Sequence, residues 1–176
     1  MSGLRKIALF FVMLLIIFLV ACTSVEESDV SIVLYPGIDT VEIYSSYQDP
    51  GALSKAFGFN VKNTVLSNNV DTEKLGTYEI IYQVDYRGII KQITRKVIVV
   101  DQTSPIAVLK AGIDTIKLGD IWVDSGVTAT DNSLETPEVL VNGTVNSNQV
   151  GEYIIEYLIS DSSGNVLKLI RYVNVQ

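Results

Sequence analysis

Residues 151–160 read GEYIIEYLIS, and residues 76–85 read GTYEIIYQVD. In the first stretch Tyr153, Ile155, Tyr157 and Ile159 alternate with Ile154, Glu156, Leu158 and Ser160. In the second, Tyr78, Ile80, Tyr82 and Val84 alternate with Glu79, Ile81, Gln83 and Asp85. A period of two puts neighbouring side chains on opposite faces of an extended chain, so both stretches read as strands with one buried face. Ile89–Val100 and Val166–Val175, just downstream, are rich in Val and Ile, as strands are. Turn signals punctuate the rest: Pro36-Gly37, Pro50-Gly51, Arg87-Gly88, Asn142-Gly143 and Ser163-Gly164-Asn165. No window beyond the N-terminal apolar run has the period of an amphipathic helix. Short strands at such spacing are expected to build antiparallel β-sandwiches.

The two stretches are also copies of each other. Gly76-Thr77-Tyr78 meets Gly151-Glu152-Tyr153 at a shift of 75, and Tyr82 meets Tyr157. Working outward at the same shift, Gly37-Ile38-Asp39-Thr40 recurs as Gly112-Ile113-Asp114-Thr115. Tyr47 meets Trp122, Asp49 meets Asp124 and Gly51 meets Gly126. Near the ends the shift becomes 76, pairing Arg95 with Arg171 and Val97 and Val99 with Val173 and Val175. The loops between anchors differ in compensating ways: one shortens where the other lengthens. Constant anchors with exchangeable loops describe a packed scaffold with a variable surface. Two domains are therefore expected, 31–101 and 105–176, joined by Gln102–Ser104.

Composition narrows the chemistry. The 176 residues hold no His and one Cys. An internal disulfide is excluded, and so are Ser–His–Asp and Cys–His catalysis from this chain alone. A formal charge of −7 argues against nucleic acid, whose phosphates need clustered Lys and Arg. No two carboxylates are placed across a cleft by any spacing seen here, so the chain is expected not to be an enzyme.

The apolar run sits at the front. Arg5 and Lys6 precede Ile7 to Val20, fourteen consecutive apolar residues. That length suits a secretory signal and is short of the roughly 20 residues a bilayer-spanning helix needs. Leu19-Val20-Ala21-Cys22 follows, and the whole order resembles the lipobox of bacterial prolipoproteins. The resemblance implies a signal peptide over 1–21, diacylation of the Cys22 thiol, cleavage before it, and a tether over 22–30. Loss of Arg5 and Lys6 would take the net charge from −7 to −9. Such a chain is repelled by anionic headgroups, so acyl chains such as palmitate would do the holding. The expected location is outside the cytoplasm, lipid-anchored to the membrane or envelope.

The second repeat carries a further resemblance. It runs Asp101-x-Thr103-x-Pro105-Ile106, Leu118-Gly119, Trp122-x-Asp124-x-Gly126-Val127-x-Ala129-x-Asp131, Val141-x-Gly143-Thr144-Val145, Gly151-x-Tyr153, Tyr157, Asp161-x-x-Gly164-Asn165 and Arg171-x-Val173-x-Val175. This resembles the bacterial immunoglobulin-like repeat of pesticidal crystal proteins and tandem-repeat surface proteins. The first repeat matches less well: it lacks the opening Pro, and has Lys55-Ala56 and Tyr86-Arg87-Gly88-Ile89 at two motif positions. The resemblance implies two tandem Ig-like sandwiches that act as spacer or binding modules without catalysis.

Several residues stand out against that frame. Gly-x-Tyr at Tyr78 and Tyr153 has the form of a tyrosine corner, whose phenol bonds back to nearby backbone. Tyr47 and Trp122 are expected in the cores. Arg95 and Arg171 share the parity of inward Val residues and need partners inside, with the repeated Asp49 and Asp124 as candidates. Asp101, Asp131, Asp161 and Asn165 are oxygen ligands at linker and loop positions, a set suited to calcium, which takes six to eight oxygens. The alternative for them is a group of Asx turns capping their own backbone. Phe57, Phe59 and Tyr86 have no counterparts in the second repeat. They are expected to fill the core around a shortened loop; the alternative is an aromatic patch for sugar rings or a protein.

The expectation for function is a non-catalytic surface lipoprotein. It would present Ig-like modules for adhesion, cell-wall, glycan or protein binding, or as a spacer. The partners implied are the membrane through Cys22 and a surface protein or polysaccharide. The alternatives are a subunit of an envelope assembly recruited by strand addition, and an accessory binding module for a separate extracellular enzyme.

Overall fold

The computed structural model describes residues 24–176. Met1–Ala21 and Cys22, where the signal peptide and the acylation site are read, lie outside the described residues. A 3-10 turn, Glu27–Asp29, precedes the strands. These are β1 (Val30–Leu34), β2 (Thr40–Glu42), β3 (Ala52–Ala56), β4 (Phe59–Val61), β5 (Thr64–Asn68), β6 (Gly76–Tyr86), β7 (Ile89–Val100), β8 (Ile106–Leu109), β9 (Thr115–Ile116), β10 (Val127–Thr130), β11 (Glu138–Asn142), β12 (Gly151–Ser160) and β13 (Val166–Val175). Among the described residues no helix is long and apolar enough to cross a membrane.

Both repeats follow one plan, two sheets per repeat. The first has sheets β1-β3-β4 and β2-β7-β6-β5; the second has β8-β10 and β11-β12-β13-β9. The four-stranded sheets are mixed rather than purely antiparallel. β2 runs parallel to β7, with Thr40 opposite Ile98, and β9 runs parallel to β13, with Thr115 opposite Asn174. The reason is the crossover: the chain leaves one sheet after β1 or β8 and enters the other beside its last strand, already pointing the same way. Among the described residues the one unmatched strand is β4, which forms a hairpin with β3 through Phe57-Gly58, both at positive φ. In the second repeat a longer loop follows β10 instead.

By contacts the described chain forms two compact units. One holds the described part of Met1–Gly37 with Asp49–Asn68 and Glu79–Arg95; the other holds Ile38–Gln48, Asn69–Tyr78 and Lys96–Gln176. The core of the first gathers Val30, Ala56 and Val84, with Val25, Ile32, Val61, Tyr86 and Ile89 packed around it. The core of the second gathers Ile155, Tyr157, Ile159 and Val173, with Trp122, Ala107, Val127 and Ala129 against it. These are the residues that the period-two pattern turns inward; each fully buried large apolar side chain contributes about 1.5–3 kcal/mol. Residues 27–30, expected in a tether, are structured instead. Val30 is buried on β1 and pairs with Ala56, and the Phe57 N–H donates to the Asp29 carbonyl at 2.8 Å. Val25 and Val30 supply apolar contacts that the acidic run Glu26-Glu27 masks in the sequence.

The repeated polar residues form one buried clamp per repeat. Arg171 is 2% exposed. Its Nη1 donates to both carboxylate oxygens of Asp114 at 2.9 Å, its Nη2 to the carbonyls of Lys110 at 2.7 Å and Gly126 at 3.1 Å, and its Nε to the Tyr157 hydroxyl at 3.2 Å. Asp124 stands 3.6 Å from Nε, accepts from the Tyr157 hydroxyl at 2.5 Å and from the Gly126 N–H at 2.8 Å. Arg95 repeats the arrangement: its Nη2 donates to the carbonyls of Tyr35 at 2.5 Å and Gly51 at 3.2 Å, and its Nε lies 3.6 Å from Asp49. Tyr82 donates to Asp49 as Tyr157 does to Asp124. Each Arg thus pairs with the repeated Asp of its own repeat; Asp114 is a tighter partner that parity alone did not point to. The repeated glycines make room beside the clamp. A Cβ on Gly37 would stand 2.1 Å from Pro50 Cγ, and one on Gly112 2.5 Å from Ser125 Oγ and 3.1 Å from Arg171 Nη1.

The tyrosine corners are present. Tyr78 donates to the Lys74 carbonyl at 2.8 Å and Tyr153 to the Gln149 carbonyl at 2.9 Å.

The clamp makes stability sensitive to alkali. Burial, and then the hydrogen bond to the Asp49 carboxylate, push the Tyr82 phenol up to about 12; burial and Asp124 raise Tyr157 in the same direction. An unfolded chain releases the phenolic proton near pH 10. Between pH ~10 and ~12 the unfolded state therefore binds fewer protons than the folded one. The stabilisation is complete below pH ~10 and is lost as pH rises through that window. The urea midpoint is expected to fall between about pH 9 and about pH 11.5, either side of the free phenol's pKa, and Tyr82→Phe to shallow that fall. A Phe variant with the same pH slope as the parent would refute the assignment.

Candidate functional site

Three strands end on an aspartate. Asp101 follows β7, Asp131 follows β10 and Asp161 follows β12, and all three lie in the second compact unit. One carboxylate oxygen from each lies within 4.8 Å of those of the other two. Local turns hold them. The Asp131 Oδ1 accepts from the Ser133 N–H at 2.9 Å and from its hydroxyl at 2.6 Å. The Asp101 Oδ1 accepts from the Thr103 N–H at 3.2 Å. Asp161 accepts from the Asn165 N–H at 2.9 Å and side-chain Nδ2 at 2.8 Å. The same Nδ2 donates to the Asp101 carbonyl at 3.2 Å, so Asn165 braces the loop after β12 against residue 101. The structure therefore brings Asp101, Asp131, Asp161 and Asn165 together, and the Asx turns are present as well: they pin one oxygen of Asp101 and of Asp131.

The electrostatics are uneven. Burial pushes the Asp101 carboxyl up and the charges of Asp131 and Asp161 add to it, against the Thr103 N–H and a weaker pull from Ser163 outside hydrogen-bond geometry. For Asp161 burial pulls upward too, but the donors on Asn165, Gly164 and Ser163 outweigh it and hold the group below the usual carboxylate range. Beside the cluster stands Glu42 on β2. Its carboxylate accepts from the Gln102 N–H at 3.1 Å, the Thr103 hydroxyl at 2.7 Å and the Asn132 Nδ2 at 3.1 Å. Burial raises its pKa, and these donors more than reverse that. Glu42 lay unflagged in the sequence because nothing local connects β2 with residues 60 and 90 positions later.

A second feature of the same unit is an open groove of about 810 Å³ whose lining includes Gly112, Ile113, Asp120, Ile121, Trp122 and Val123. Ile121, Ile113 and Val123 are 88%, 74% and 72% exposed. Trp122 backs the groove and packs on the core behind it; its Nε1 is buried without a hydrogen-bond partner. The expectation that Trp122 is a core aromatic holds for one side of the ring only. Large apolar residues at 113, 121 and 123 were the available signal, hidden because they belong to the loops flanking β9 and obey no strand alternation.

Two of the three first-repeat aromatics, Phe57 and Phe59, are placed otherwise than expected, whereas Tyr86 packs against the first core. Phe57 is 42% and Phe59 77% exposed, so neither fills a core. They sit at the β3–β4 turn, which projects them outward. Tyr86 is half-buried; Phe57 meets its ring edge-on at 6.2 Å, and the Arg87 guanidinium lies 5.6 Å over it.

A family comparison agrees with the two-repeat plan. The family described as bacterial surface protein, Ig-like domain, matches residues 39–99 and again 112–175. No curated protein matches the chain. Among solved structures, one of Clostridium perfringens ZmpB, holding an M60 catalytic domain with CBM51-1 and CBM51-2 domains, aligns with a TM-score of 0.44 at 13% identity over 87% of this chain. This chain spans 31% of that one. A lipoprotein of Bacteroides thetaiotaomicron aligns with a TM-score of 0.36 at 14% identity, over 80% of this chain and 98% of that one.

Proposed function

The chain belongs to the family of bacterial surface proteins with Ig-like domains, and from that premise we propose that it is a non-catalytic lipoprotein. It is held outside the cytoplasm by an acylated Cys22, and its Ig-like domains bind a surface protein or polysaccharide. The groove around Trp122 carries the binding part of this reading. It offers part of an aromatic ring flanked by exposed Ile113, Ile121 and Val123, with Asp120 and Lys117 at its edge, which is the mixture of flat apolar surface and nearby polar groups that sugar rings and peptide chains dock on. The absence of His from the sequence supports a binding role over catalysis.

Two measurements test it. Cells grown with an alkyne fatty acid should label the wild-type chain and not Cys22→Ser; an unlabelled wild type would remove the anchor. The full chain in detergent, passed over cell-wall polysaccharides and surface proteins, should be retained, with Ile121→Asp weakening retention at least about tenfold, as loss of a central apolar contact does. Retention untouched by Ile121→Asp would move binding elsewhere. Absence of retention, with co-purifying envelope proteins, would select the other reading: a subunit recruited by strand addition. The observation favouring that one is that β5 and β11 are outer strands of their sheets with every residue exposed.

A further inference from the structure

We propose that Asp101, Asp131 and Asp161 form a calcium site, with Asn132 offering a further oxygen and Asn165 positioning Asp161. Three oxygens within 4.8 Å of one another share a point at most about 2.8 Å from each, close to the ~2.3–2.6 Å of calcium–oxygen bonds. Acids gather on many surfaces without a metal, so the grouping alone decides nothing. What points to a ligand is burial without donors. Asp101 is only 8% exposed, and its Oδ2 is sealed from solvent with no hydrogen-bond partner. The Asp131 Oδ2 and the Asn132 Oδ1, one residue along the chain, are in the same condition. All three atoms are acceptors. A buried acceptor with no donor is costly, and several beside mutually repelling carboxylates are more so. A cation relieves the unmet acceptors and the repulsion together.

The donor set selects the ion. It is all oxygen, which suits a hard cation. Magnesium demands a near-octahedral shell and gives up water reluctantly, whereas calcium accepts six to eight oxygens in irregular geometry, water among them. Loops after three different strands supply an irregular shell. The pinned oxygens matter too: Ser133 on Asp131 and Thr103 on Asp101 each occupy Oδ1 and leave Oδ2 for the ion, an outer-shell arrangement that orients ligands. Such an ion would tie residue 101 to the loops after β10 and β12. This site involves neither Cys22 nor the groove, so its failure would leave the surface reading standing.

The test uses the full chain in detergent. Calorimetric titration should show one calcium per chain with a Kd on the order of 10⁻⁴–10⁻³ M, the range of extracellular modules. Saturating calcium should raise Tm by about 5 °C, and a chelator should reverse it. Asp131→Asn and, separately, Asp161→Asn should weaken binding at least about tenfold and abolish the Tm rise. The metal-free Tm of Asp131→Asn should not fall, because Asn keeps the oxygen that Ser133 binds and removes one of three repelling charges; this variant distinguishes lost binding from lost folding. Absence of heat and of a Tm shift in the wild type overturns the proposal, as does a shift that both variants retain. An equal response to magnesium overturns the assignment to calcium.

Discussion

Replacing Arg171 with Ala is expected to cost the second repeat about 3 kcal/mol, read as a urea midpoint lower by on the order of 2 M. The guanidinium makes five hydrogen bonds from a position 2% exposed. Truncation strips the carbonyls of Lys110 and Gly126 of a donor and removes the charge opposite Asp114 and Asp124. It also leaves a void the size of the side chain behind Tyr157. Removing one partner of a buried pair commonly costs about 3–5 kcal/mol. The lower end applies because the side chains of Asp114 and Asp124 are 38% and 29% exposed, so water partly compensates them. Arg171→Lys should recover little: an ammonium cannot grip both oxygens of Asp114 while reaching two carbonyls. An Ala variant that unfolds with the wild type would show that the clamp is an ornament of the sandwich and that apolar packing alone holds it.

Gly143→Ala should be nearly as damaging although it adds a single methyl group. Gly143 closes β11 at a φ of +106°, and a Cβ there would stand 2.3 Å from the Ile154 carbonyl oxygen and 3.4 Å from the Ile155 Cα. Both neighbours are backbone of β12, the central strand whose Ile155 and Tyr157 line the core. Backbone cannot rotate aside as a side chain can. Relief requires β11 to peel from β12, losing pairs such as Asn142 with Glu156 and Val141 with Tyr157. The left-handed conformation costs roughly 1–3 kcal/mol for a non-glycine residue and forced overpacking about as much again, so a loss near 3 kcal/mol is expected. Amide exchange should show the change concentrated in β11. Unchanged stability with unchanged β11 protection would mean that the turn adopts another conformation at little cost.

The strongest sequence signals were those with a local cause. Alternation in 76–85 and 151–160 marks β6 and β12 because pleating forces neighbouring side chains apart, whatever the rest of the chain does. The Val- and Ile-rich runs coincide with β7 and β13 for the same reason. Gly-x-Tyr marks the corner because the phenol reaches only four residues back. The repeat itself singled out Arg95, Arg171, Asp49 and Asp124, since residues that hold a fold together recur when the fold does. The reading failed where several segments meet. Phe57 and Phe59 look like core residues by type, yet a two-residue turn throws them outward. The match of Asp114 to Arg171 requires the crossover before β9, and the involvement of Glu42 with Asn132 requires residues 90 apart to approach.

From the sequence alone come the all-β class, the tandem Ig-like repeats, the inward faces of the long strands and the acids that could serve a cation. Each follows from short-range stereochemistry or from comparing one half of the chain with the other. Tertiary structure decided which acids meet, which of their oxygens are left without a donor, and which apolar loop residues open onto a groove instead of a core. Those outcomes depend on how strand ends distant in the chain converge, and the free energy that sets them is spread over the packing of both sheets rather than written into any one segment.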